Sequence, residues 1–454
     1  LKISFTSGTF AAVESDLISN GPGPAAKMTI TRQPSSATLA GAAFAVQPQI
    51  SLFDSYDNPV SSDNSTYVTV EAGGDATDVM RGTVTVKAVS GIVNFSNISY
   101  NKAESIKASF SSPGIPSIES SVLTIQKGPA AKIIVLRQPS TQAIAGQAFS
   151  VQPQVGIADS AGNLIETDSV TVVTAVRGLT GSFAVGGTGG VTAANGIVTY
   201  SNLSYSRAEN LSLNFSAPGL TGAESDLIAV IPSSANKIAV LRQPSATANA
   251  GQAFGIQPQI GIYDSFNNLI TSDNVSTVTA ATGSVGSQSV QGSTTVTVSA
   301  GVATFTDLYY TKTENLVIKF DSGSFAAVEA ALIDVKPGYV DHFVFSLASP
   351  QNNTVPFTGT DSLTAYDEFG NIKTDFSASS DYVYISIETG FPGTISGLGA
   401  SSDYVLNQVS DFVNGVADLS GKMTFTSGNV PGNWKFKATS SSGKFGISPT
   451  IMIN

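Results

Sequence analysis

Four Asp–Asn pairs are the residues of this chain whose type and spacing best suit a bound cation: Asp54/Asn58, Asp159/Asn163, Asp264/Asn268 and Asp367/Asn371. With Asp63, Asp168 or Asp273 nearby in the first three pairs, carboxylate and amide oxygens are concentrated in one stretch of chain. Calcium takes about six to eight such oxygens, which makes Asp54, Asp159, Asp264 and Asp367 the candidate calcium ligands. The same residue types also form turns, because short Asp and Asn side chains bond back to their own backbone. The ligand spacing of an EF-hand loop is absent.

A second recurring group is Lys102-Ala103-Glu104, Arg207-Ala208-Glu209 and Lys312-Thr313-Glu314. A buried lysine beside an acid can crosslink to asparagine, but the arginine in the middle copy removes any shared amine chemistry. A surface ion pair at a turn is therefore expected, and such pairs contribute little. Trp434, with Tyr382 and Tyr384, could form a face on which sugar rings stack. The competing reading buries all three in a sandwich core. The single histidine, His342, lies between Val340 and Phe343-Val344-Phe345, an alternating strand pattern. With no cysteine and one histidine, the chain lacks the material for nucleophile–base–orienter catalysis, thiol chemistry or zinc fingers, and no enzyme is expected. Asn-x-Ser/Thr sequons at Asn64, Asn94, Asn97, Asn202, Asn210, Asn214, Asn274 and Asn352 carry little weight in a chain so rich in serine and threonine.

These groups recur because the chain repeats itself. Arg32-Gln33-Pro34 returns as Arg137-Gln138-Pro139 and Arg242-Gln243-Pro244, a step of 105 residues. Gly91, Gly196 and Gly301 keep that step, as do Phe5, Phe110, Phe215 and Phe320. A period this long is one small domain with its own core, copied in tandem. Within a copy, apolar residues alternate, as in Phe149, Val151, Val155 and Ile157, which is the pattern of half-buried strands. Turn sequences such as Asp159-Ser160-Ala161-Gly162-Asn163 separate them. Seven or so short strands spaced in this way suit a two-sheet sandwich.

The expected domains are residues 1–24, the last two strands of a preceding repeat; 25–128, 129–233 and 234–337, three regular repeats; and 338–454, a divergent fourth. The fourth gains about eleven residues around Phe391–Tyr404, since Gly301 to Gly415 is a step of 114. Short Pro/Gly junctions (Gly21-Pro22-Gly23-Pro24, Gly128-Pro129, Pro232, Pro337-Gly338) predict repeats set end to end as an extended rod. Leu1 aligns with Ile106, Leu211 and Leu316, so the chain is expected to start in mid-repeat as part of a longer polypeptide. A second chain adding strands to the incomplete unit, head to tail, is the competing explanation.

The chain carries 33 Asp and Glu against 22 Lys and Arg, a net charge of −11. That balance argues against a nucleic-acid partner, which would need a basic stripe. No apolar run approaches the ~18 residues of a membrane helix.

Phe149–Val155 (Phe-x-x-Gln-Pro-x-Val), the Asp159–Asn163 hairpin and Gly196–Leu203 resemble the bacterial immunoglobulin-like repeats of large surface proteins, the invasin- and intimin-type group. The resemblance covers the three regular copies well and the fourth in part. It implies an all-β chain of tandem immunoglobulin-like β-sandwiches; the residues themselves point to no cofactor beyond the calcium considered above. It also implies an extracellular, cell-surface location and work as the stalk of an adhesin, a surface layer (S-layer) or a filament. Partners would be other copies of the chain, neighbouring surface proteins, or a glycan or host-cell ligand. A carbohydrate-binding accessory array of a larger secreted enzyme is the alternative.

Overall fold

The computed structural model describes residues 1–323, 325–389, 391–399 and 404–454. Among them the regular structure is strand throughout, apart from one 3₁₀ turn at Val409–Asp411. Among the described residues no helix is long and apolar enough to cross a membrane. The chain forms two compact units, Leu1–Ile231 and Pro232–Asn454.

The repeat beginning at Lys132 shows the strand plan. Lys132–Arg137 pairs antiparallel with Gln154–Ala158, which pairs with Ile197–Thr199, giving one sheet. The chain then crosses over: Gln142–Ile144 runs parallel to Ile228–Ile231, which pairs antiparallel with Asn210–Leu211. Val172–Arg177 sits between Gly190–Thr192 and Leu213–Ser216 to complete the second layer. The repeats beginning at Lys27 and Lys237 keep the same pairings.

Alternation places Val155, Ile157, Val173, Ala175, Leu213 and Phe215 between the layers, where all are buried. Rings from the two layers meet there: Phe95–Phe110, Tyr200–Phe215 and Phe305–Phe320 lie 5.6, 5.7 and 5.4 Å apart. Fully burying one such side chain is worth about 1.5–3 kcal/mol. Gln152 closes one end of the sandwich. Its amide donates to the carbonyls of Phe149 and Leu203, and its oxygen accepts the Leu203 N–H. Gln47 and Gln257 do the same, which explains the glutamine of the Phe-x-x-Gln-Pro motif. The recurring Gly196 has φ +74°, and a Cβ there would sit 2.4 Å from the Ile165 carbonyl oxygen.

The fourth repeat builds a larger aromatic core from Phe357, Phe425, Trp434 and Phe436. Part of its gained segment, residues 400–403, lies outside the described residues. The described part contributes strand Thr394–Ser396, paired with Thr424–Thr426. At the other end of the chain, Ser4–Phe5 and Val13–Glu14 form a two-stranded hairpin. There Phe5 is 62% exposed, whereas its counterparts Phe110, Phe215 and Phe320 are fully buried.

Candidate functional site

The Asp-x-x-x-Asn turns lie at the junctions between repeats, and their aspartates hold the incoming linker. Asp159 Oδ1 accepts the backbone N–H groups of Gly162 and Asn163, both at 2.8 Å. Its Oδ2 accepts Asn163 Nδ2 at 3.0 Å and the linker N–H of Gly128 at 2.9 Å. Asp54, Asp264 and Asp367 repeat this arrangement and take the N–H of Gly23, Ser233 and Gly338 respectively. The residue before each asparagine (Asp57, Gly162, Asn267 or Gly370) has positive φ, a conformation that Gly, Asn and Asp tolerate best. All four aspartates are buried. The hydrogen bond from the Asn58 side chain, with three backbone N–H groups, outweighs desolvation and lowers the Asp54 carboxyl to about 2. Burial pushes Asp159 and Asp264 up, but their donors outweigh it and both end below the ordinary value. The oxygens proposed as calcium ligands thus face N–H donors of the chain itself. Among the described residues no group of three or more Asp, Glu or His converges on an ion site.

The asparagine of the turn reaches into the preceding repeat. Asn163 Oδ1 accepts the Ala103 N–H at 2.9 Å, and Nδ2 donates to the Asn101 carbonyl at 2.8 Å. In the second unit Asn371 does the same, accepting from Thr313 N–H at 3.0 Å and donating to the Thr311 carbonyl at 2.8 Å. Apolar contact accompanies each bridge. Ala161 packs against the core of the repeat before it, beside Gly41. The Phe369 ring covers Gly251, where a Cβ would lie 2.1 Å from a ring carbon. Lys127 also pairs with Glu166 across the first of these junctions. In the first repeat the equivalent Asn58 is exposed and donates to Asp54.

The loop that receives the asparagine is held by a Tyr–Glu pair. Tyr205 donates its hydroxyl to Glu209 at 2.5 Å and accepts N–H groups from Ser182 and Phe183 at 2.9 and 2.7 Å. Glu209 also accepts the Ser182 N–H at 2.6 Å. Tyr100–Glu104 and Tyr310–Glu314 are built alike, at 2.5 and 2.6 Å. The Tyr310 hydrogen bond, with those from Ser287 and Lys312, brings Glu314 down to about 2. Desolvation and then the Glu104 hydrogen bond push Tyr100 up to about 12. The expected Lys–Glu ion pairs exist at 3.8 Å (Lys102–Glu104) and 3.1 Å (Lys312–Glu314). Arg207 instead lies over the Phe183 ring at 5.3 Å. The tyrosine is the partner that sequence reasoning missed, although Tyr100, Tyr205 and Tyr310 recur at the repeat step.

The three aromatic candidates separate. Trp434 belongs to the core rather than to a ligand face: it is fully buried, and its Nε1 donates to the Phe391 carbonyl at 2.9 Å. Tyr382 and Tyr384 are not core residues. Both are exposed and meet edge-on at 5.1 Å. His342 is half exposed, stacked on Tyr366 at 5.6 Å and 3.2 Å from Asp341.

The chain is a tandem array of immunoglobulin-like repeats. No family model and no curated protein matches it. Similar solved structures include invasin, a bacterial integrin-binding protein, at 10% identity and TM-score 0.27, covering 94% of this chain and 79% of that one. Domains 1–6 of the surface layer protein SbsC match at 12% identity and TM-score 0.23, over 93% of this chain and 54% of that one. The titin I-band fragment I67–I69 matches at 9% identity and TM-score 0.25, over 71% of this chain and 99% of that one. The sandwich assignment rests on the strand pairing, and these likenesses add nothing about activity.

Proposed function

We propose that this chain is a non-catalytic structural and adhesive protein of the cell exterior, whose regular repeats are spacers in an adhesin stalk, a surface layer or a filament. The observation that carries the reading is the asparagine bridge. A spacer that transmits force needs neighbouring domains that do not swing freely, and inter-domain contacts without specific bonds leave such motion as the default. Here one turn fixes its own linker through aspartate and the preceding repeat through asparagine. Low charge density and a net negative balance suit an exposed protein.

The chain has no cysteine, so paired spin labels can be placed without background. Labels at Val89→Cys and Val170→Cys, both exposed positions, report on the first junction. A single narrow distance distribution in the full chain, broadened by Asn163→Ala, is the expected result. A broad distribution in the unmodified chain would overturn the stiff-spacer reading.

A further inference from the structure

The outward face of the fourth repeat carries a longer row of rings than the faces of the other three repeats. In strand register, Tyr384 lies opposite Thr439, Thr439 opposite Phe445, Phe445 opposite His342 and His342 opposite Tyr366. At the register positions of Tyr384 the regular repeats have Thr69, Thr174 and Thr279. At those of Phe445 they have Ser117, Gly222 and Ala327. At those of His342 they have Lys27, Lys132 and Lys237. At these three positions the fourth repeat has rings in place of small and basic outward residues, while the Tyr366 position is also aromatic in the first and third repeats (Phe53, Tyr263) and the Tyr382 position is Tyr67 in the first.

Tyr404 extends the row, stacked against Tyr384 at 6.3 Å and 26°. Tyr382, Tyr384, Tyr404 and Phe445 are 40, 39, 48 and 51% exposed, which is unusual for rings gathered on one sheet face. Exposed aromatic clusters of this kind mark interaction sites. Two of the flanking cations are paired, Lys437 with Glu388 at 3.7 Å and Lys444 with Asp341 at 3.1 Å, while the Asp381 carboxylate beside Tyr382 accepts from Ser441 and Ser442. Lys437 also lies over the Phe445 ring at 4.8 Å.

We propose that this face is a stacking platform for an uncharged polysaccharide, with Tyr382, Tyr384 and Tyr404 at one end and Phe445 at the other. Pyranose rings present flat C–H faces that pack on aromatic rings, and hydroxyl rims that bond to tyrosine, threonine and lysine. Tyr384 and Phe445 are two strands apart, roughly 10 Å at the usual strand spacing, which is room for successive sugars of one chain. Lys437 and Lys444 are each neutralised by a carboxylate and Asp381 adds a negative charge beside Tyr382, which disfavours an acidic polysaccharide. Protein hot spots set their rings in desolvated pockets, whereas these rings lie open on the sheet. The proposal gives the adhesive half of the proposed function a ligand and is independent of the junction argument, since the spin-label result does not involve this face.

The test is affinity electrophoresis of the full chain in gels containing, one at a time, soluble neutral polysaccharides of glucose, mannose, galactose, xylose and N-acetylglucosamine. Retardation by at least one is expected, with a tenfold or greater loss of affinity in Tyr384→Ala and Phe445→Ala. Both side chains are exposed, and unchanged thermal unfolding would confirm that the variants fold. Retardation by none, or equal retardation of the Tyr384→Ala/Phe445→Ala double variant, would overturn the proposal. So would concentration-dependent dimerisation in sedimentation that these substitutions abolish, because the face would then be a contact between copies.

Discussion

Asn163 Oδ1 accepts the backbone N–H of Ala103 at 2.9 Å, across 60 residues of sequence and from one repeat to the one before it. Because Nδ2 of the same amide donates to Asn101, the side chain pairs with the neighbouring backbone as another strand residue would. The aspartate four residues earlier fixes the turn that carries it. Linker, turn and preceding loop are thereby joined through two adjacent side chains.

Asn163→Ala should lower the stability of the full chain by about 1–2 kcal/mol more than the same change at Asn58, since besides the bond to its own turn aspartate it loses the two inter-repeat hydrogen bonds, partly recovered by water. Asn58→Ala is the control, since Asn58 bonds to its turn aspartate as Asn163 does but is exposed. Thermal unfolding of both variants checks this. The expectation fails if Asn58→Ala is as damaging as Asn163→Ala.

Tyr205→Phe should destabilise the second repeat by about 1–3 kcal/mol, because it strands the Phe183 N–H and removes the hydroxyl donor to Glu209, leaving Ser182 to hold that carboxylate alone. Glu209→Gln keeps a hydrogen-bonding oxygen at the same place and should be milder. Denaturant titration of the two variants gives the order. A larger effect from Glu209→Gln would instead point to the negative charge as the main contribution.

Acid should loosen the array in a defined window. The carboxyls of Asp54 and Glu314 are lowered to about 2 from ordinary values of 3.8 and 4.5. Asp63 also falls to about 2, where burial opposes the shift but Thr66 and Ser65 outweigh it. A depressed folded-state value means that the unfolded chain binds protons first. The stabilisation is therefore complete above about pH 4.5 and disappears as pH falls towards 2. Circular dichroism at fixed temperature should show little change from pH 7 to 5 and a steep decline below 4. A decline beginning above pH 5 would assign acid sensitivity to other groups.

Much of the fold is legible in the sequence because its signals are local. Period-two alternation identifies Phe149, Val155 and Ile157 as core residues, although Val151 of the same run is exposed, and the repeat step carries the assignment along the chain. The same alternation, applied to Tyr382-Val383-Tyr384-Ile385, places both tyrosines outward, and grouping them with Trp434 by residue type obscures it. Trp434 alternates with Phe436 and Ala438 on the buried side of its strand. The asparagine bridge is not legible, since turn chemistry alone satisfies an Asp-x-x-x-Asn segment and nothing nearby indicates a partner 60 residues away. The Tyr–Glu pair is hidden differently. Lysine or arginine stands two residues from the glutamate and suggests an ion pair, whereas the tyrosine four residues away is brought back by the turn.

Calcium should not change thermal unfolding. Each candidate aspartate, Asp54, Asp159, Asp264 and Asp367, already accepts backbone and asparagine N–H donors on both oxygens. A cation there would have to displace those donors and leave buried N–H groups unpaired, at about 1–3 kcal/mol for each. Differential scanning calorimetry with chelator and with millimolar calcium should give superimposable traces. A calcium-dependent rise in Tm that Asp159→Asn removes would restore the metal reading.

Packing at the junction between the third and fourth repeats can be separated from backbone strain. Gly251 has φ +77°, and the Phe369 ring occupies the space a side chain would take. Gly251→Ala therefore faces two penalties: about 1–2 kcal/mol for a left-handed non-glycine residue, and displacement of the ring. Phe369→Ala loses the ring contact without straining the backbone. If the contact matters, spin labels at Val275→Cys and Val409→Cys, both exposed, should show a broader distance distribution in either variant. Only Gly251→Ala should also lower the unfolding temperature of the third repeat appreciably. Should Phe369→Ala leave the distribution as narrow as in the unmodified chain, the asparagine bridge at Asn371 holds this junction without help from the ring.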